Sequence, residues 1–141
     1  MKALKIAAVC ACVSLASGCA TGLNSIQKQE YAAMEASGVL VEEKNPTTGA
    51  LLGILPGGGS FYAGEVGLGI VNLLFWPVSI LWDPISGHNG AQADNYAITV
   101  QKLKKDKAEE ISRLDDQLAI KAITTEDYMR KKNQIEEKYS F

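Results

Sequence analysis

The chain has 141 residues, a formal charge of -2 and a single histidine, with 47% hydrophobic residues. That length accommodates one modest domain. The near-neutral balance argues against the basic face of a nucleic-acid binder and against an acidic interaction tail.

Lys2 and Lys5 precede an uncharged apolar run from Ile6 to Ala16, and Ser17-Gly18 then leads into Cys19. A basic start, a short apolar run and a small-residue junction make an export signal. The run is about 11 residues, within the roughly 7–15 of a signal core and short of the ~20 a spanning helix needs. Leu15-Ala16-Ser17-Gly18-Cys19 resembles the bacterial lipobox, with Ala16 in the usual leucine position and Leu15 one place earlier. The resemblance implies cleavage before Cys19 and lipid attachment to its thiol, the soft nucleophile that thioether formation requires. The alternative is a plain secretory signal with Cys19 a structural or stray thiol. Cys10 and Cys12 would leave with residues 1–18, so the mature chain of roughly 120 residues would hold neither a free thiol nor a disulfide. Cys10-Ala11-Cys12 has no partner His or Cys for a metal. The family carries several acyl chains on this cysteine, enough for stable anchoring. Ala20, where Asp would favour inner-membrane retention, implies the outer membrane of a Gram-negative cell, with the chain facing the periplasm.

Residues 21–27 read as a polar tether. Ile26, Tyr31, Ala32 or Ala33, and Met34 follow at helical spacing, and Gly38 closes that helix. Val39-Leu40-Val41 reads as a short extended piece, and Pro46 suits a first helical position.

From residue 45 to residue 101 there is no Lys or Arg, and Glu65, Asp83 and Asp94 are the only acids. A brief apolar arm, residues 50–55, meets a break at Pro56-Gly57-Gly58-Gly59-Ser60. A longer arm runs from Val66 to Trp82 and contains Asn72 and Pro77. Gly59-Ser60-Phe61-Tyr62-Ala63-Gly64, then Gly67-Leu68-Gly69-Ile70-Val71-Asn72, then Ile80-Leu81-Trp82-Asp83, resembles the small two-transmembrane-helix domain. The resemblance implies a two-helix topology rather than an activity. Ser60 and Glu65 stand where that family carries basic residues, and a cytoplasmic loop should carry Lys or Arg. The first arm is also too short to cross ~30 Å of hydrocarbon. A hairpin dipping into one leaflet or packed against protein is therefore expected, with the glycine turn at an interface or inside an assembly. Gly49, Gly53 and Gly57, four apart, would form a close-approach stripe on a helix, unless Gly57 belongs to the turn. Phe61, Tyr62, Trp76 and Trp82 suit either a membrane-water boundary or a core. Trp82 to Gly87 and His88-Asn89-Gly90 read as turns.

From Ala91 to about Ala122, Tyr96, Val100, Leu103, Ile111, Leu114 and Leu118 recur at three- and four-residue steps among charged positions. This is an amphipathic helix, with Lys107 at an inward place and Glu109–Arg113 an i,i+4 pair. Thr124 and Asp127 form a capping-box variant that starts a second helix, faced by Tyr128, Lys132, Ile135 and Tyr139. Leu114, Leu118, Ile123, Thr124, Glu126, Tyr128 and Lys131 give the ending a resemblance to the SHOCT domain. That implies oligomerisation or partner contact through a helix-turn-helix whose turn usually carries Gly near Lys121 or Ala122. The alternative is a solvated charged tail.

The expected fold is mainly α. It comprises a signal helix, a short apolar helical hairpin around the Pro-Gly-Gly-Gly turn, a long amphipathic helix and a short C-terminal helix. The expected division is residues 1–18 signal, 19–45 tether and short helix, 46–90 membrane-associated hairpin and 91–141 charged helix-turn-helix. The reading is a non-enzymatic envelope lipoprotein with Cys19 as lipid attachment site. Its partners are membrane lipid and either further copies or an envelope protein, with no nucleic acid, cofactor or metal. An inner-membrane protein crossing twice with periplasmic ends is the first alternative. A ligand-binding or enzymatic envelope protein using Asp83, His88 and Asp94 is the second. No nucleophile–base pair, phosphate loop or metal spacing supports that last reading.

Overall fold

Asn24 opens the first described helix: its side-chain oxygen accepts from the N–H groups of Ile26 (3.0 Å) and Gln27 (2.9 Å), and Gln27 accepts from the Asn24 N–H in return. This reciprocal capping box starts α1, Ser25–Ala36, inside the expected tether. The computed structural model describes residues 22–140. The expected signal helix over residues 1–18 and Cys19 lie outside the described residues. At the other end of α1, Gly38 sits at φ 72°, and the Val39 N–H returns to the Met34 carbonyl at 3.0 Å. That is the Schellman closure a glycine at this place supports.

Among the described residues the protein is mainly helical, with no strand. After α1 come α2 (Pro46–Leu52), α3 (Gly58–Tyr62), α4 (Val66–Leu74), a 3-10 turn (Val78–Leu81), α5 (Asp83–Ala119) and α6 (Thr125–Lys138). The Asn45 side chain caps α2 by accepting from the Thr48 N–H, and Pro46 occupies its first turn. The break in the apolar region falls over residues 53–57. Gly58 and Gly59 already belong to α3, which starts behind Gly57 at φ 70°. The longer apolar arm is not one helix. α4 stops at Leu74, the Trp76–Pro77 peptide is cis, and the chain resumes as the 3-10 turn. Pro77 offers no N–H to a continuing helix.

The largest departure from expectation is α5. It begins at Asp83, eight residues before Ala91, so the sequence Asp83 to Gly90 is helical rather than two turns. Pro84 is compatible with a first turn. Gly87 and Gly90, weak helix formers on their own, are retained because Gly49 and Ala63 pack closely on them. A Cβ on Gly87 would lie 2.2 Å from the Gly49 carbonyl oxygen, and one on Gly90 would lie 2.4 Å from the Ala63 Cβ.

The chain divides into two units: residues 22–29 with 42–95, and residues 30–41 with 96–140. In the second unit Tyr31, Met34 and Leu114 are buried. Thr99, fully buried on α5, accepts the Val41 N–H at 2.9 Å and so ties the extended piece to the helix. α6 folds back on α5: Tyr128 donates to Asp115 (2.8 Å), Tyr139 to Glu110 (2.9 Å) and Lys138 to Glu110 (2.6 Å). Thr124 accepts the Asp127 N–H at 3.1 Å and donates to its carboxylate, the expected cap. Lys121 stands at φ 59° in the turn, and the Ala122 N–H reaches the Gln117 carbonyl at 2.8 Å. The closure is again a Schellman motif, here with a lysine in the glycine position.

Candidate functional site

The first unit has an inverted composition. Ser60, Asn72, Asp83 and Asn95 are fully buried, and Ser79 is 1% exposed. The hydrophobic residues it buries are Leu23, Ala63 and Ala91. Its large apolar side chains face outward: Leu74 is 75% and Leu81 74% exposed, and Ile54, Leu55, Val66, Phe75, Trp76 and Val78 are also exposed.

The interior is built on Asp83, the first residue of α5. One carboxylate oxygen accepts the Gly59 N–H at 3.1 Å; the other accepts the Ser60 N–H at 3.0 Å, the Ser60 hydroxyl, and the Asn72 amide at 2.7 Å. Asp83 thus acts as a distant N-cap for α3, whose N-terminal N–H groups have no partner within so short a helix. The Asn72 amide also donates to the Ser60 hydroxyl at 2.9 Å, while its side-chain oxygen accepts the Trp82 indole N–H at 2.9 Å. Ser79 donates to the Asn72 carbonyl at 2.9 Å. Among the described residues no buried side-chain polar atom is left without a partner. Such a fully satisfied network specifies one arrangement, because each member left unpaired would carry its full desolvation cost.

Close backbone approach surrounds the network. A Cβ on Gly53 would fall 2.3 Å from the Pro84 nitrogen, and one on Gly59 2.3 Å from the Asp83 carbonyl oxygen. Gly49 and Gly53 therefore do form a close-approach stripe, but its partner is the start of α5 in the same unit. Gly57 belongs to the turn. At the polar end of the unit, Asn95 accepts the N–H groups of Glu43 and Lys44 and donates to the Lys44 carbonyl. Lys44 pairs with Asp94.

Asp83, His88 and Asp94, the residues that the enzymatic or ligand-binding alternative would use, all lie on α5 without converging. Asp83 is enclosed in the network, Asp94 pairs with Lys44, and His88 is half-buried one turn beyond Asp83. Among the described residues no group of three or more His, Cys, Asp or Glu side chains could hold a metal ion. Cys19 falls outside the described residues. The sequence reading missed Ser60, Asn72 and Ser79 as a set and Asn95 with Thr99 as a pair. The available signals were isolated polar residues within an apolar run and the four-residue step Ala91, Asn95, Thr99 along α5.

In the second unit the expected face of α6 is the face it uses: Tyr128, Lys132, Ile135 and Tyr139 are half-buried, and α6 buries no residue fully. The Lys138 ammonium and then the Tyr139 hydroxyl hold the Glu110 carboxyl below its ordinary value. Glu110 in turn raises Lys138. An open groove beside these residues is lined by Arg113, Leu114, Lys131, Ile135 and Lys138.

No protein-family model, curated protein or solved structure matches the chain. Among the described residues no helix is long and apolar enough to cross a membrane.

Proposed function

We propose that this chain is a bacterial envelope lipoprotein with a structural or interaction role. Cys19 carries the lipid, the outer membrane is its site, and the first unit serves the membrane side of that role. The C-terminal α5–α6 hairpin assembles with copies of the chain or with an envelope partner. The observation that carries this reading is the exposed, uncharged apolar surface of the first unit, in a chain whose residue 19 follows an export-type apolar run and two small residues. Contiguous apolar surface of this kind marks contact with lipid or with another protein. The hairpin adds support: α6 has no fully buried residue, so much of its surface is left for a partner. Its likeness to SHOCT points the same way.

The test is metabolic labelling with a palmitate analogue, followed by fractionation of wild type and Cys19→Ala. The wild-type chain should take up label and sediment with outer membrane, and the variant should do neither. An unlabelled wild-type chain in the soluble fraction would overturn the proposal.

A further inference from the structure

We infer that the first unit is a one-leaflet insertion module, whose occupant is the hydrocarbon of the same leaflet that holds the acyl chains of Cys19. This rests on the lipid-anchored reading above and adds to it, since an anchored chain could equally keep this surface against a protein.

Four observations select lipid. The exposed apolar positions are too widely distributed for one partner helix. On α4, Val66, Ile70, Val71, Leu73 and Leu74 sweep a broad arc at 3.6 residues per turn, and Phe75, Trp76, Val78, Ile80, Leu81 and Trp82 follow almost without interruption. A helix docked on this unit would cover one stripe; acyl chains cover the whole surface.

The irregular backbone is also provided for. The N–H groups of Gly53, Ile54, Leu55, Gly58 and Phe61 reach carbonyls within the unit, and those of Gly59 and Ser60 reach Asp83. Non-helical backbone enters hydrocarbon only when its polar groups are satisfied internally. The Asp83 carboxylate supplies that condition for Gly59 and Ser60, where the glycine run cannot form a continuous helix.

The dimensions fit one leaflet. α4 has 9 residues, so it extends about 13 Å at ~1.5 Å per residue, against about 15 Å for half of a ~30 Å hydrocarbon core. The proposed anchor is also within reach. Gly22 lies against Asn89 of α5, its Cα position leaving only 3.1 Å between an added Cβ and the Asn89 Cβ. Cys19 is three residues earlier, at most about 10 Å of extended chain.

Because residues 45–101 contain no Lys or Arg, insertion requires no anionic headgroup and is insensitive to salt.

Trp76 and Trp82 are the two tryptophans of the chain, so fluorescence excited where only tryptophan absorbs reports on this unit alone. The lipidated full chain is reconstituted into phosphatidylcholine vesicles carrying bromine at a shallow acyl position or near the bilayer centre. Fluorescence should be quenched by the acyl bromine, and to the same extent when phosphatidylglycerol or high salt is added. Leu74→Asp with Leu81→Asp, both at exposed positions, should abolish quenching while helix content and flotation with vesicles persist. Flotation of the wild-type chain without quenching would overturn insertion and leave the anchor standing. Reaction of Leu74→Cys with an impermeant maleimide added to the far side of the sealed vesicles would overturn the one-leaflet depth. A wild-type chain that fails to float would overturn the anchored reading itself.

Discussion

Asp83 and Ser60, 23 positions apart in the chain, are joined twice: the Asp83 carboxylate accepts both the backbone N–H of Ser60, at 3.0 Å, and its hydroxyl. This pairing fixes the start of the long helix against the start of α3 and closes the glycine-rich turn between the apolar arms.

Removing that acceptor should unfold the first unit selectively. Asp83→Ala leaves the N–H groups of Gly59 and Ser60 and the Ser60 hydroxyl without their buried acceptor, at about 1–3 kcal/mol for each unsatisfied group. A loss of about 3 kcal/mol or more is expected in denaturation monitored by tryptophan fluorescence in detergent micelles. Asp83→Asn, which keeps the shape but turns one acceptor into a donor facing donors, should also destabilise, by less.

The glycines separate into two classes by what surrounds them. Gly53→Ala and Gly87→Ala would place a Cβ 2.3 Å and 2.2 Å from backbone atoms of the facing element, forcing the helices apart at about 1–3 kcal/mol. Gly67, on α4, has nothing within 4 Å of an added Cβ, so Gly67→Ala should stabilise by about 0.5–1 kcal/mol. The same micelle denaturation distinguishes the signs. Equal effects at Gly53 and Gly67 would contradict the close approach.

The turn between α5 and α6 holds a lysine in left-handed backbone at φ 59°. Lys121→Gly should relieve about 1 kcal/mol, the approximate penalty of a Cβ in that conformation. Gly38 is the mirror case: the space around it is open, yet its φ of +72° means Gly38→Ala should destabilise by a similar amount, about 1 kcal/mol. Thermal unfolding followed by circular dichroism measures both.

The α5–α6 contact should weaken in acid. Glu110 is lowered from an ordinary value of 4.5, first by the hydrogen bond from Lys138 and then by that from Tyr139. A carboxyl lowered in the folded state contributes stability that is complete above its unfolded value and lost as pH falls through the folded one. The contribution should therefore be intact at neutral pH and disappear below 4.5. Lys138 is raised above 10.5 by Glu110, so its share persists through neutral pH and is lost only as pH climbs past its raised value. Glu110→Gln should flatten the acid limb of a stability-against-pH profile while leaving the tryptophan signal of the first unit unchanged.

Helix boundaries governed by a few neighbouring residues were readable directly: Pro46 and Asn45 at α2, Gly38 after α1, and Thr124 with Asp127 at α6. The Asn24–Gln27 capping box was equally local and was overlooked because the preceding polar residues resemble a tether. The faces of α5 and α6 followed from apolar spacing. Asp83 to Gly90 was misread as turn because its local chemistry of Asp, Pro, two glycines and Asn does favour turns. The helix prevails there because the Gly49 backbone packs on Gly87 and the N–H groups of α3 require the Asp83 carboxylate.

Composition and periodicity therefore determined by themselves that the protein is mainly helical, that an uncharged glycine-rich apolar stretch interrupts charged flanks, and that the chain closes in a charged helical hairpin. These are properties of residues within a turn or two of one another, where backbone preference and side-chain period act directly. Only the tertiary structure decided that Ser60, Asn72, Ser79 and Asp83 meet inside while the leucines and tryptophans point out. That arrangement depends on which donor finds which acceptor across 7 to 24 positions, and hydrogen-bond partners at such separations leave no periodic trace in the order of residues.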